Sequence, residues 1–247
     1  MEWGLFSLAH VISLIFAIAL IIILHYSLAK RSTECKTIVL FVLSLFGVAS
    51  IIYNLIVYHS PLEKLPLNVT EMGFLIMPFV IIFPRKGPAN LLLLNVLAAV
   101  VGLIFNTAPE AGYFSMTSIF YYFPMVLAFG LPILIFTLDL SDLDIKYLPS
   151  TLAVGIILFT CVHFINIGIN AYAEANELLS WSGEIVHVNY MATLEPVNAI
   201  LKGFYNIIPH PYWYMSVGLV IDFIYLVLIY GIHNYVIRVR KTKEMED

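Results

Sequence analysis

The sequence predicts an all-α, polytopic membrane protein with seven transmembrane helices, an N-terminus outside and a C-terminus in the cytoplasm. Three observations support this fold class. Of the 247 residues, 61% are hydrophobic and only 11% are charged, whereas soluble domains average about 25% charged residues. Seven apolar runs reach the roughly 20 residues that a helix needs to cross a bilayer. Basic residues fall almost entirely between alternate runs. We therefore expect one transmembrane domain, residues 1–247, whose surface faces lipid.

Charged residues, prolines and glycines separate the seven runs. The first run follows Glu2 without a basic segment or a cleavage site, so we predict an uncleaved span instead of a signal peptide. A very short turn joins the third and fourth spans. The predicted spans are residues 5–29, 37–58, 66–84, 88–107, 117–138, 147–170 and 214–237.

The positive-inside rule orients these spans. With the N-terminus outside, ten of the twelve Lys and Arg residues lie in cytoplasmic segments, and only Lys64 and Lys202 lie outside. The reverse orientation would place these ten basic residues outside. The same pattern supports a count of seven, because omitting one span would break the alternation. The ten basic residues are Lys30, Arg31, Lys36, Arg85, Lys86, Lys146, Arg238, Arg240, Lys241 and Lys243.

The longest predicted connection is an extracytoplasmic loop of residues 171–213. This loop is rich in Trp and Tyr, which favour the membrane interface. Long ordered loops commonly carry function or cover a site, and we expect two short interfacial helices at about 173–180 and 195–206. The chain has no internal repeat, which disfavours a transporter built from inverted repeats.

Polar residues from five predicted spans converge in the outer third of the membrane. Ionisable groups inside spans are costly and suggest function. Three of the converging polar residues, His163, Asn166 and Asn170, are spaced i, i+3 and i+7, which places them on one helix face. We predict a polar pocket that opens to the outer leaflet; the alternative is a set of structural hydrogen bonds between helices. The converging residues are His10, Asn54, Asn68, Thr70, Glu71, His163, Asn166, Asn170 and Asp222, whereas the inner half holds few polar groups: Asn95, His25 and His233.

Other classes of site have little support. The net charge is −4 and the chain has no basic block, so nucleic-acid binding is disfavoured. Asp139, Asp142 and Asp144 are interpreted as a solvated cytoplasmic loop, and no zinc, phosphate-loop or hydrolase motif occurs. We therefore expect no cofactor and no metal. Membrane lipid is the expected partner, and no protein partner can be identified.

Five short motifs occur in order along most of the chain. They are Phe6-Ser7-Leu8-Ala9-His10, Leu65-Pro66-Leu67-Asn68-Val69-Thr70, Ala108-Pro109-Glu110, Asn189-Tyr190-Met191 and Pro209-His210-Pro211-Tyr212-Trp213-Tyr214. Together they resemble motifs of the YwaF family, bacterial integral membrane proteins with seven spans. That family is similar to eukaryotic transmembrane acyltransferases, which move acyl chains between phospholipids. More distantly it resembles the androgen-induced membrane hydrolases, which use a threonine and a histidine on lipid esters.

The resemblance implies a lipid acyltransferase or esterase in a bacterial cell membrane. In the acyltransferases a motif cysteine forms the acyl-enzyme and a histidine in span five is the base. Here Thr70 replaces the cysteine, Asn68 replaces the motif histidine, and span five has no histidine. A threonine needs an adjacent base, so the implied roles are Thr70 as nucleophile, His163 or His10 as base and Glu71 as orienting acid.

The remaining polar residues are predicted to bind substrate. The alternatives to catalysis are an inactive lipid- or amphiphile-binding membrane protein and a transporter or transporter subunit. The predicted substrate-binding residues are Asn54, Asn68, Asn166, Asn170, Asp222, Asn189 and Tyr190.

Overall fold

The computed structural model describes residues 7–57, 60–105 and 116–246, and these ranges fold into α-helices without a β-strand. Long apolar runs favour helices, because a helix satisfies its backbone hydrogen bonds within one segment. The motif Ala108-Pro109-Glu110 lies outside the described residues. The helices are α1 (Leu8–Ala29), α2 (Thr33–Val57), α3 (Val69–Ile82), α4 (Lys86–Phe105), α5 (Met116–Thr137), α6 (Leu148–Ala175), α7 (Ala199–Ile207) and α8 (Ser216–Glu246).

The helix in the region of the predicted third span, α3, differs most from the prediction. Among the described residues, six helices are long and apolar enough to cross a membrane: α1, α2, α4, α5, α6 and α8. By contrast, α3 has 14 residues, or about 21 Å, against a hydrocarbon core of about 30 Å. It begins at Val69 because Asn68 is its N-cap, and the Glu71 carboxylate accepts a hydrogen bond from the Asn68 N–H at 3.2 Å. The fold is therefore a helical membrane bundle with six helices of spanning length and one shorter apolar helix.

The connection between α6 and α8 agrees with its prediction in part. The prediction of a separate helix at about 173–180 is wrong, because α6 continues to Ala175 and the chain then turns at Glu177, whose φ is 49°. The second expected helix is present as α7, which begins at Ala199. The described part of the predicted loop therefore holds one short α-helix, α7, and a 3₁₀ turn at Tyr190–Ala192, followed by the return to α8.

The centre of the bundle is formed by α4 and α5. Half of the most apolar stretch of α5 is buried, compared with 11% for α6 and for α8. Leu127, Leu131 and Leu134 of α5 are almost fully buried in the main hydrophobic core. On the outer helices, large side chains such as Phe164 and Ile224 are exposed. Such an apolar surface is suited to lipid as its solvent.

Polar turns gather at one end of the bundle. The Lys86 Nζ pairs with the Asp142 carboxylate at 2.6 Å, and the Lys36 Nζ donates to the Leu138 carbonyl at 3.1 Å. These contacts join the first turns of α2 and α4 to the connection between α5 and α6. The opposite end is built from the connections around α3, α7 and α8, and it holds the candidate site.

Candidate functional site

Two asparagines of α6 hold an extended segment against the bundle. The Asn166 Nδ2 donates to the Tyr190 carbonyl at 2.9 Å, and the Asn166 Oδ1 accepts from the Tyr190 N–H at 3.1 Å. Asn170 pairs in the same way with Val188, at 3.0 and 2.7 Å. Both pairs can form because Asn166 and Asn170 are separated by four helical residues, a rise of about 6 Å, and Val188 and Tyr190 by two extended residues, a rise of about 6.6 Å. Both asparagines, which are predicted to bind substrate, form hydrogen bonds with backbone groups of this segment.

Alternate residues of this extended segment face the protein. Val186, Val188 and Tyr190 are buried, whereas His187 is exposed. The buried side chains form a small hydrophobic core with Val162 of α6. This alternation is typical of an extended segment with one buried face. Residues 186–191 therefore form a structural wall at this end of the bundle.

The hydroxyl of Tyr190 connects the wall to the connection that precedes α3. It donates to the Leu62 carbonyl at 2.5 Å and accepts from the Leu65 N–H at 2.9 Å. Burial raises the pKa of Tyr190 to about 12, so the hydroxyl keeps its proton at neutral pH and donates it to Leu62. Tyr190, another predicted substrate-binding residue, thus has a structural position.

Asn68 fixes the start of α3 to the same wall. Its Oδ1 accepts from the Met191 N–H at 3.0 Å, and its Nδ2 donates to the Glu71 carboxylate at 3.0 Å. The same carboxylate oxygen of Glu71 accepts the Asn68 N–H, as described above. Glu71, predicted as an orienting acid, is therefore part of a helix cap. The cap places Thr70 in the first turn of α3.

A cavity of about 640 Å³ lies between α3, α4, α6 and α8. Its lining is mostly aliphatic, and it extends along α4 from Leu91 to Val101, a length of about 15 Å. Pockets for small amphiphilic ligands have volumes of about 300–1,000 Å³ and a few polar groups in an apolar lining. The polar lining residues are Asn68, Thr70, Asn95, Asn189, Asn198 and Asp222.

Three of these polar residues have no partner within the described part of the chain. Asn95 is 2% exposed, and both of its amide atoms are buried without a hydrogen bond. Asp222 makes no ion pair or hydrogen bond with a described residue. The hydroxyl of Thr70 is likewise joined to no described histidine or carboxylate by a hydrogen bond. The cavity therefore offers unsatisfied donors and acceptors to a ligand.

A glycine of α3 makes room for the Asn95 amide. A Cβ at Gly73 would overlap with Asn95 Nδ2, Cγ and Oδ1, so the absence of a side chain lets α3 lie directly on this amide. Gly73 and Asn95 both line the cavity. The close approach fixes the amide position between α3 and α4, where an unpaired buried polar group costs about 1–3 kcal/mol.

The short helix α7 closes one side of the cavity. Ile200, Leu201 and Phe204 line the cavity, whereas Lys202 and Asn206 are exposed. This distribution is typical of an amphipathic helix. The other two polar lining residues support this cover: Asn198 caps α7 by accepting from the Leu201 N–H at 3.0 Å, and Asn189 donates to the Glu195 carbonyl at 2.8 Å.

The two histidines predicted as bases do not line the cavity. The His10 Nε2 lies 2.7 Å from the Leu103 carbonyl, and because a carbonyl only accepts, this nitrogen carries the proton. The ring of His163 packs on Tyr212 with centroids 4.9 Å apart, and its buried Nδ1 has no hydrogen bond within the described residues. Asn54 of α2 is half-buried and also lies outside the cavity lining.

The structure thus brings Thr70 and Asp222 into one cavity and adds a residue that sequence reasoning missed. Asn95 is not among the predicted site residues, because it lies far from the outer ends of the spans. Its position was still informative: residues three and four positions away on either side are Leu91, Leu92, Ala98 and Ala99, so no neighbour on its helix face could satisfy the amide. The described residues contain no group of three metal-ligating side chains.

Comparison with known proteins gives a family match. A family model, the TMEM164 family, matches residues 5–232, which is most of the chain. No curated protein and no solved structure gave a significant match. The finer resemblance to YwaF proteins stays a prediction.

Proposed function

The chain belongs to the TMEM164 family, a family of transmembrane proteins, and from this premise we propose that it binds a membrane lipid or a similar amphiphile. The cavity between α3, α4, α6 and α8 supports this function. Its inner part is aliphatic, with Leu91 and Leu152 near the first turns of α4 and α6, and polar residues lie in its middle and at its other end. An acyl chain and a polar group would each have a suitable environment.

The proposed orientation directs the polar end of the cavity, beside α7, towards the outer face of the cell membrane. Lys36, Lys86 and Lys146 lie at the end of the bundle away from α7, and the positive-inside rule assigns this end to the cytoplasm. Segment 60–68 and α7 then lie outside. The bacterial origin suggested by the YwaF resemblance belongs to the same proposal.

Cavity filling tests the binding function. Gly218 lines the cavity, and a Cβ there would meet Phe204 and Met215 at 3.8 and 3.9 Å, so a larger side chain can enter the cavity. We expect Gly218→Leu to lose most co-purified lipid, measured by native mass spectrometry of the protein released from detergent. Gly231→Leu is the matched control, because it lies on the same helix and a Cβ there has no atom within 4 Å. Equal lipid retention by the two variants would contradict binding in this cavity.

Cysteine accessibility tests the orientation. In a background with Cys35 and Cys161 replaced by alanine, Lys202→Cys and Arg31→Cys place single thiols on exposed residues at opposite ends. In intact cells an impermeant maleimide should label position 202 and spare position 31 until the cells are lysed. The reverse pattern would overturn the orientation and with it the outward position of the polar end of the cavity.

Acyl transfer is the second candidate function, because a hydroxyl and a carboxylate share the cavity. In this mechanism the Thr70 Oγ attacks a lipid ester, the Asp222 carboxylate takes the Thr70 proton, and the departing lysolipid alkoxide receives that proton. The acyl group then moves from Thr70 to the hydroxyl of a second lipid or to water, and Thr70 regains its proton. Asp222 takes the role of base here because neither histidine lines the cavity.

A covalent probe tests this second function. A fluorophosphonate with a long alkyl chain should label the wild-type protein and Thr70→Ser, and it should not label Thr70→Val, which retains the β-branched shape. Asp222→Asn should slow labelling if the carboxylate is the base. Equal labelling of Thr70→Val and the wild type would exclude Thr70 as the nucleophile and leave the amphiphile-binding function unaffected.

A further inference from the structure

We infer that the cavity selects an amphiphile that carries a positively charged amine, and that the Asp222 carboxylate binds this amine. The inference rests on the amphiphile-binding function proposed above. Its basis is the charge of the site: Asp222 is the one ionisable side chain among the described residues of the cavity lining, so no lysine, arginine or histidine of that lining balances it. The ligand supplies the opposite charge.

Asp222 also lacks a counter-ion elsewhere in the described chain. Lys86 pairs with Asp142, Lys146 pairs with Asp144 and His187 contacts Glu195, and none of these pairs includes Asp222. A carboxylate inside a spanning helix is costly unless a partner compensates it. An ammonium group beside Asp222 restores that compensation with charge-assisted hydrogen bonds.

The surroundings favour an organic amine over a metal ion or an anion. A calcium ion takes six to eight oxygen ligands, and the described residues contain no cluster of three metal-ligating side chains. A phosphate or carboxylate would lie beside Asp222, the one formal charge among the described lining residues, and this charge has the same sign. The Asn95 Oδ1, buried without a hydrogen bond, is a further acceptor for a donor-rich group, and an ammonium has only donors.

The position of Asp222 places the amine between apolar regions. Asp222 is the last residue of α8 that lines the cavity, about 9 Å from the start of the helix. Aliphatic residues of α4 and α6 line the cavity beyond that depth, and Phe204 of α7 closes the other side. A long-chain primary amine therefore matches the distribution of polar and apolar surface.

This inference and the base role of Asp222 exclude each other. A carboxylate held by an ammonium group does not take the proton of Thr70. The two roles are separated by the covalent probe: a general base is required for fluorophosphonate labelling of Thr70, whereas an amine-binding carboxylate is not.

Photolabelling tests the inference with the full chain in phosphatidylcholine nanodiscs. The probes are a dodecyl amine and a dodecyl alcohol, each with a diazirine in the chain and a terminal alkyne. We expect the amine to label cavity peptides about tenfold more than the alcohol, since a hydrogen bond to a charged group changes affinity by roughly this factor. In Asp222→Asn, which retains the side-chain shape, amine labelling should fall to the level of the alcohol.

Two further variants make each outcome decisive. Glu174→Gln removes an exposed carboxylate of α6 and should leave the amine preference unchanged; an equal loss there would show general surface attraction and overturn the inference. Equal labelling by both probes in the wild type, still blocked by Gly218→Leu, would overturn the amine selectivity and leave amphiphile binding standing. Labelling that Gly218→Leu does not reduce would overturn the binding function itself.

Discussion

Asn166 and Asn95 are both buried asparagines in apolar helices, and their hydrogen bonding is opposite. Asn166 of α6 is fully buried and bonds to the backbone of Tyr190 and to the Thr193 hydroxyl. Asn95 of α4 is 2% exposed, and neither amide atom has a partner among the described residues. Burial alone therefore does not show whether an amide is satisfied within the protein.

The two regions around these residues also differ in hydrogen bonding. Around Asn166, the wall of residues 186–191 is held by hydrogen bonds of Val188 and Tyr190 to α6, of Tyr190 to the connection before α3 and of Met191 to Asn68. Around Asn95, the cavity holds unsatisfied polar groups in an aliphatic lining. A region of the first kind contributes stability, and a region of the second kind costs stability and offers binding. Five predictions test this difference, from the largest expected effect to the smallest.

Replacing Asn166 should have the largest effect. Asn166→Leu keeps the shape of the side chain and removes three hydrogen bonds, leaving buried backbone groups of Tyr190 unpaired. We expect the free energy of unfolding to fall by about 3–5 kcal/mol, measured by denaturant titration in detergent with tryptophan fluorescence. A fall below about 1 kcal/mol would contradict the structural role of the wall.

Removing the Tyr190 hydroxyl should have the next effect. Tyr190→Phe leaves the Leu62 carbonyl and the Leu65 N–H without their partner, and we expect a loss of about 2 kcal/mol. The exposed Tyr172 of α6 supplies the control, Tyr172→Phe, which should change stability little.

The same hydroxyl should contribute a dependence on pH. Because burial raises the pKa of Tyr190 from 10.0 to about 12, its contribution is present below pH 10 and is lost as the pH rises towards 12. Tyr190→Phe should remove this part of the alkaline slope of the unfolding free energy. An unchanged slope would show that the Tyr190 hydroxyl titrates alike in the folded and unfolded chains.

Replacing Asn95 should act in the opposite direction. Asn95→Leu removes two unsatisfied buried atoms at nearly constant shape, so we expect lipid-free protein to gain about 1–2 kcal/mol in the same titration. Amphiphile labelling of the cavity should decrease. If Asn95→Leu instead destabilises the protein as much as Asn166→Leu does, the two asparagines have the same structural role.

Replacing His163 should have the smallest effect. His163→Phe keeps a ring against Tyr212 and removes the buried Nδ1, so stability should stay within about 0.5 kcal/mol of the wild type. Fluorophosphonate labelling of Thr70 should also be unchanged, since His163 does not line the cavity. Loss of labelling in this variant would restore the predicted role of His163 as a base.

Parts of the fold and of the site could be predicted because they depend on local patterns. The apolar runs predicted the six spanning helices, and the depth of Thr70 and Asp222 in their runs predicted polar groups inside the bundle. The same reasoning assigned Asn166 and Asn170 to substrate, because spacing identifies a helix face and does not identify the partner of that face. Their partners, Tyr190 and Val188, lie 18 to 24 residues away in the chain.

By itself, the sequence determined that this chain is a helical membrane protein, because hydropathy and helix length act over about 20 consecutive residues. Only the tertiary structure decided which buried polar residues are satisfied and which are free to bind. Asn166 differs from Asn95 because an extended segment brings backbone groups to the first, whereas Gly73 brings only a bare helix surface to the second. Hydrogen bonds between distant segments depend on where the fold places both partners, and one residue's pattern describes only one of them.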